Sequence, residues 1–254
     1  MKKYLLPFCL CCLFCGTTSA QNELFETKTF TYKGTTLPYS VSFPDNYDKS
    51  KAYPLVLFLH GAGERGTDNT KQLTHGAWLF TDAKNRADYP AIVLFPQCPE
   101  NDFWAPVSRE NGFEFLDTKK MTPSMESVKK LIDQYIKKEA VDKNRIYVLG
   151  LSMGGMGTFD LICRYPKTFA AAIPICGGVE LSRLKKVKHL PIRIYHGDSD
   201  TVVSPENSRN AYIELKAEGS DLVEYYEYAG VGHESWSQAF EEPDFLEWLF
   251  SQKK

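Results

Sequence analysis

Five stretches of this chain are apolar at nearly every position rather than at every second one. They are PLVLFLHG (54–61), AIVLFPQ (91–97), RIYVLGLS (145–152), AAAIPICGG (170–178) and LPIRIYHGD (190–198). A strand with one wet face alternates; a strand apolar throughout is covered on both faces, as in a parallel sheet flanked by helices. Segments of helical character separate these runs. Residues 123–138 begin with Pro123, which suits a first helical turn, and carry Val128, Leu131, Ile132, Tyr135 and Ile136 at helical spacing. GGMGTFDLICRYP reads as a helix stopped at Pro166. Residues 205–218 read as a helix between Pro205 and Gly219, and Ser235 to Phe250 as a single terminal helix. Residues 28–33 and 37–43 form an opening antiparallel pair around YKGTTLPY, and DLVEYYEYA (221–229) is a last strand. Strands separated by helices require parallel crossovers. The expectation is an α/β fold, a mostly parallel twisted sheet with helices on both faces.

The first residues stand apart. Lys2 and Lys3 precede an apolar run, Leu5 to Phe14, and the small residues Thr18-Ser19-Ala20 follow it. This is the layout of a secretory signal; the run is too short to span a bilayer, which takes ~20 apolar residues. Residues 1–20 are therefore read as a signal peptide cleaved near Ala20, and 21–254 as one catalytic domain, exported to the periplasm or beyond. An uncleaved anchor and lipid attachment at Cys9, Cys11, Cys12 or Cys15 are the weaker alternatives. None of those cysteines has a small residue directly before it together with an aliphatic one further back. With Lys2 and Lys3 removed, 28 of 30 basic residues face 32 acidic ones, without a basic block. Nucleic acid is thereby excluded as a partner, and no integral membrane association is expected. Cys98, Cys163 and Cys176 remain, which allows one disulfide and one free thiol, with the pairing left open. Their spacing matches no zinc pattern.

In a parallel sheet, function collects at the carboxyl ends of the strands. There the chain places Ser152 within Gly150-Leu151-Ser152-Met153-Gly154, Asp198 and Asp200 in HGDSDTVV, and His233 in AGVGHESW. A serine hydroxyl is a poor nucleophile until an imidazole removes its proton. A carboxylate on the other ring nitrogen fixes the tautomer and stabilises the imidazolium. Of the two aspartates, Asp200 is favoured because it lies further into the loop. Gly150 and Gly154 let the turn tighten, and Gly155 lets the next helix start close to the sheet. A tetrahedral intermediate needs donors for its oxyanion. These are expected from the backbone N–H of Met153 and of Ala62, the latter in the glycine-rich loop after the first buried strand, with Gly63 as second choice. His60 and His196 end strands and are read as loop braces; His75 and His189 as loop or surface residues. Ser127 to Lys130 and Ser182 to Lys185 match S-x-x-K without its companion motifs, and read as solvated helix faces.

On these residues the chain resembles the α/β-hydrolase superfamily along its length beyond the leader. It is most similar to secreted esterases of the feruloyl esterase, acetyl-xylan esterase and polyhydroxybutyrate depolymerase type, and to peptidase-labelled dienelactone-hydrolase and carboxylesterase relatives. The segments that carry the resemblance are LHGAGERGTDN (59–69), PQCPENDFW (96–104), residues 150–178, HGDSDTVV (196–203) and GHESW (232–236). The resemblance implies an α/β-hydrolase fold without cofactor or metal. Ser152 would be the nucleophile, Asp200 the acid and His233 the base, acting through an acyl-enzyme on carboxylic esters, above all feruloyl or acetyl esters on plant polysaccharide. A serine peptidase of the same fold is the second reading, and a carbohydrate-binding protein on an inactive scaffold the third. No long insertion separates residues 178 and 190, where lids often sit, so no large cap is expected and the site should be open. Trp104 and Trp236 are expected to offer flat faces to sugar or aryl groups, although Trp236 could instead open the last helix and pack inside. Glu64 and Arg65 are expected on the same rim. Arg65 would bind a carboxylate there, or pair with Glu64 or Asp68 and shape the loop.

Overall fold

The structure, a computed structural model, describes residues 24–108, 114–116 and 119–254; the proposed leader, 1–20, lies outside the described residues. In chain order the strands are β1 (Glu26–Tyr32), β2 (Thr35–Ser42), β3 (Tyr53–Leu59), β4 (Ile92–Pro96), β5 (Val107–Ser108), β6 (Glu114–Phe115), β7 (Val141–Leu151), β8 (Ala171–Ile175), β9 (Ile192–Gly197) and β10 (Val223–Tyr228). The α-helices are α1 (Trp78–Thr81), α2 (Ala83–Asp88), α3 (Pro123–Lys138), α4 (Met153–Arg164), α5 (Glu206–Ala217), α6 (Trp236–Glu241) and α7 (Phe245–Ser251). Eight strands make one sheet in the order β1-β2-β4-β3-β7-β8-β9-β10. β2 is antiparallel to β1 and to β4, and every other neighbouring pair is parallel. The β1–β2 connection is two residues, Lys33 and Gly34, both at positive φ (48° and 82°). That is the twist a two-residue hairpin needs.

The unbroken apolar runs are explained by what lies on the two faces. In β3, Leu55, Leu57 and Leu59 join one core while Val56 and Phe58 join the other. The first core is closed by α3, α4 and α5, through side chains such as Leu131, Phe159 and Leu215. The second is closed by α1, α6 and α7, through Leu79, Phe240 and Leu249. Period-two geometry sends neighbours to opposite faces, and both faces are dry. The expected α/β architecture is therefore the one observed. α3 has the expected bounds: Thr122 Oγ1 accepts from Met125 N at 3.2 Å, Pro123 stands in the first turn, and Lys137 and Lys138 end the helix, favourable signs for the helix dipole.

Two expectations need correction. The terminal helix is two helices, because Pro243 pushes Glu242 out of the helical region, to φ −57° and ψ 127°. Ser127 is buried, not on a solvated face, and its hydroxyl donates to Pro123 O at 3.0 Å. The short hairpin β5–β6 and the helices α1 and α2 were not legible in the apolar pattern. On the far side of α4, buried Asp160 receives Arg164 Nε and Arg183 Nη1, each at 2.7 Å, and so ties the turn at Leu181–Val187 to the helix.

The site is fixed by how closely α4 approaches the sheet. A Cβ on Gly154 would lie 1.9 Å from Leu59 O and 2.5 Å from Leu59 C. Both are backbone atoms of a central strand and have nowhere to go. Gly154→Ala is therefore expected to lose about 3 kcal/mol or more of stability. Gly63→Ala, with nothing within 4 Å of its added methyl, should change stability by less than ~0.5 kcal/mol. Urea unfolding of the two variants beside the parent protein checks both values.

Candidate active site

Ser152 sits between β7 and α4 with φ 54° and ψ −116°, a conformation that a non-glycine residue holds only when its surroundings impose it. They do so here through the tight approach at Gly154 and through the Ser152 N–H, which donates to Ile175 O at 2.9 Å. The turn lifts the hydroxyl above the end of the sheet. There Ser152 Oγ lies 2.9 Å from His233 Nε2, and His233 Nδ1 lies 2.7 Å from Asp200 Oδ2. Three residues far apart in sequence form one hydrogen-bonded line. Asp198 is not part of it: it is exposed and turned outward, with Oδ1 accepting from Ser199 Oγ and Gly230 N, each at 2.8 Å.

The His233 loop is held against the end of β9 by Gly230 N, which donates to Asp198 Oδ1, and by backbone contacts. Ser199 N donates to Val231 O at 3.0 Å, and a Cβ on Gly197 would lie 2.2 Å from that same carbonyl. Asp200 is buried and well supplied with donors. Its Oδ1 accepts from Val202 N (2.8 Å) and Val203 N (2.9 Å), and its Oδ2 faces both His233 and His196 Nε2 (3.1 Å). Burial works to raise the Asp200 carboxyl, but the hydrogen bonds from His233, Val203 and Val202 outweigh it and hold the group below its ordinary value. His196 extends the line. Its Nε2 also meets Val203 O at 3.0 Å, so that nitrogen carries the hydrogen, and Nδ1 accepts from Ser208 Oγ at 2.7 Å. Complete burial lowers the His196 pKa and keeps the ring neutral.

His60 plays a matching part under the other loop. Its Nδ1 donates to Gly61 O at 2.6 Å and its Nε2 accepts from Cys98 N at 2.9 Å. Trp104 is not on the cavity, contrary to expectation. It is fully buried, edge-on to the His60 ring, and its Nε1 donates to His60 O at 3.0 Å. Its neighbour Phe103 is the aromatic that lines the cavity. Arg65 is also turned away: Nε donates to Ala62 O (3.0 Å), Nη1 to Glu100 O (2.9 Å), and the guanidinium lies over the Phe103 ring. It shapes the loop and is not among the residues that line the cavity.

A cavity of about 260 Å³ opens over Ser152. Met153 and Ala62 lie on its wall beside the hydroxyl, as do Glu64 and Trp236. Trp236 both opens α6 and lines the cavity, so its two readings from sequence coexist. Met156, Val107, Val202 and His75 also line it. Sequence reading missed these. His75 carries no motif, and the apolar ones look like any core residue until β5 and α4 are placed together. The three cysteines are free and buried, so the disulfide that an odd count allowed is absent among them. Cys176, Asp200 and His233 bring their donor atoms within 4.8 Å of one another, the spacing of a metal site. However, Asp200 and His233 are bonded to each other, and full burial raises the Cys176 thiol, which stays protonated. The donor set therefore suits hydrogen bonding better than metal ligation.

With this geometry in view, comparison with known proteins is informative. Residues 46–247 match the phospholipase/carboxylesterase family. The chain belongs to that family. Among relatives of this carboxylesterase-family chain, Carboxylesterase SOBER1 of Arabidopsis thaliana is 28% identical over 204 residues, covering 72% of this chain and 84% of the relative. A probable feruloyl esterase C of Aspergillus terreus is 29% identical over 141 residues, 56% of this chain and 46% of that one. A solved thermostable esterase superposes with a TM-score of 0.85 at 38% identity, covering 92% of this chain; this chain spans only 64% of it. Kinship and fold place the family member among α/β-hydrolase enzymes of the carboxylic-ester class.

Burial of neutral His60 has a consequence for stability. Desolvation lowers its pKa from 6.5 to about 4. The unfolded chain therefore binds this proton more tightly than the folded one. The stability that His60 contributes is fully present above pH 6.5 and is lost as pH falls toward 4, by up to ~3 kcal/mol. Urea midpoints at pH 7, 5.5 and 4.5 should fall in that order, and His60→Asn should flatten the slope.

Proposed function

We propose that this protein is a serine esterase that works through an acyl-enzyme. The observation that carries the reading is the continuous line from Ser152 Oγ to His233 Nε2 (2.9 Å) and from His233 Nδ1 to Asp200 Oδ2 (2.7 Å). His233 Nε2 takes the Ser152 proton as Oγ attacks the ester carbonyl carbon. Asp200 holds the ring with Nδ1–H toward the carboxylate and stabilises the imidazolium. The carbonyl oxygen becomes an oxyanion facing the N–H groups of Met153 and Ala62. As the intermediate collapses, the carbon–alkoxy bond breaks and His233 returns its proton to the leaving oxygen. Water then repeats the sequence on the acyl-enzyme. It gives its proton to His233, releases the acid and restores Ser152. No metal or cofactor takes part in this scheme.

For substrate, we propose feruloyl or acetyl esters on plant polysaccharide. Three features support this choice: a compact cavity of about 260 Å³, the aromatic side chains Phe103 and Trp236 in its lining, and likeness to a probable feruloyl esterase. We read residues 1–20 as an export signal, which fits a polymeric substrate outside the cell.

Ser152→Ala should lower kcat on p-nitrophenyl acetate and methyl ferulate by roughly 10⁵-fold or more. Asp200→Asn should lower it by about 10⁴-fold, through loss of the correct tautomer. Steady-state kinetics on purified residues 21–254, with chromogenic peptides alongside, checks both. Turnover of peptides but not esters would replace the esterase by the peptidase reading, and ester turnover that survives Ser152→Ala would remove Ser152 as nucleophile.

A further inference from the structure

The cavity has two unlike walls. One is apolar, where Phe103, Val107 and Met156 pack together. The other is polar and aromatic: Glu64, His75, Trp236 and, at the rim, Glu234. The second wall is a run of contacts that begins at the proposed base. Trp236 packs edge-on to His233, with ring centroids 5.5 Å apart at 85°. His75 packs on Trp236 at 5.2 Å, and His75 Nε2 lies 3.7 Å from Glu64 Oε1.

Glu64 is not used up in bracing its own loop. The loop is held through the Glu64 backbone, whose carbonyl accepts from Gln97 Nε2 at 3.1 Å. The carboxylate itself is largely enclosed, with a side-chain exposure of 14%, and its Oε2 has no hydrogen-bond partner among the described residues. The 3.7 Å gap to His75 is too long for a hydrogen bond. A hydroxyl seated to one side of the gap reaches both groups, donating to the carboxylate and accepting from the imidazole. Oε2 is sealed from the cavity, so the oxygen that a ligand meets is Oε1, the one toward His75; a ligand that brings a hydroxyl there is favoured, and one that brings a second carboxylate is repelled. Among the described lining residues no lysine or arginine offsets this charge, because Arg65 is turned to Ala62 O and Glu100 O.

We propose that the Glu64–His75–Trp236 wall is the subsite for the alcohol half of the ester, and that it selects an uncharged, hydroxyl-bearing alcohol over one carrying a carboxylate. The assignment of halves follows from chemistry. The leaving oxygen must take its proton from His233 Nε2, so the alcohol departs along the wall that starts at His233. The acyl group then lies against the apolar wall. The inference rests on the esterase reading above and adds the charge and hydroxyl preference of one side of the site.

The test uses two acetate esters that differ in a single group, an O-acetylated methyl glucoside and the matching O-acetylated methyl glucuronoside, with p-nitrophenyl acetate as a gauge of Ser152-dependent chemistry. The parent protein should favour the neutral sugar by about tenfold or more in kcat/KM. Glu64→Gln, which keeps shape and removes charge, should shrink that ratio to about threefold or less. Raising NaCl from 20 mM to 500 mM should narrow the ratio in the parent protein through screening, a readout that needs no variant to fold. A parent ratio near one, or a ratio indifferent to both Glu64→Gln and salt, overturns the subsite while leaving the esterase reading intact. Absence of Ser152-dependent turnover of p-nitrophenyl acetate overturns the esterase reading itself, and the subsite with it.

Discussion

At the carboxyl end of β3, the Leu59 carbonyl touches the first turn of α4 so closely that Gly154 has no room for a methyl group. The rest of the site depends on this contact. Because the helix must begin there, the chain leaving β7 has one residue in which to reverse, and that residue is Ser152 at φ 54°. The strain is local, and it is held by a sheet whose two faces are both packed. Strand burial on both sides thus does more than stabilise the fold: it makes the strand ends rigid enough to keep a serine in an unfavourable conformation.

The second constraint is electrostatic. Asp200 is buried yet held below its ordinary pKa, because two backbone N–H groups and two imidazoles face its oxygens. His196 donates to the same oxygen as His233, and Ser208 on α5 fixes the His196 tautomer. The carboxylate is therefore aimed by residues from β9, from the following loop and from α5. On the opposite loop, His60, Cys98 and Trp104 form a comparable neutral set beneath Gly61 and Ala62. Buried neutral histidines steady both loops that border Ser152.

Much of this was readable in the sequence for identifiable reasons. Runs such as LVLFL have no alternation, and a doubly covered strand leaves that mark. Pro123 and Pro166 punctuate helices at their ends. Ser152, Asp200 and His233 each follow a strand, so chain order alone brought them to one edge of the sheet. What escaped detection depended on side-chain direction. Trp104 and Phe103 are adjacent, and nothing in FW says which ring points inward; the buried hydrogen bond from the indole to His60 O decides it. Arg65 sits in a motif beside the cavity, but two carbonyls draw its guanidinium away. His75 came without any pattern and was placed only by the packing of α6. The break at Pro243 was visible in the letters but was outweighed by the apolar residues on either side of it.

The parts of the site join late. Ser152 follows β7, Asp200 follows β9, and His233 lies in the loop after β10, clasped to the end of β9 by Ser199 N and Val231 O. A ribosome delivers these pieces in order, and Ser152 meets His233 only once the last strand has added to the sheet. Until then Ser152 is an ordinary alcohol. On the proposed mechanism the chain is thus chemically silent throughout its own synthesis, and its reactivity follows from completing the fold.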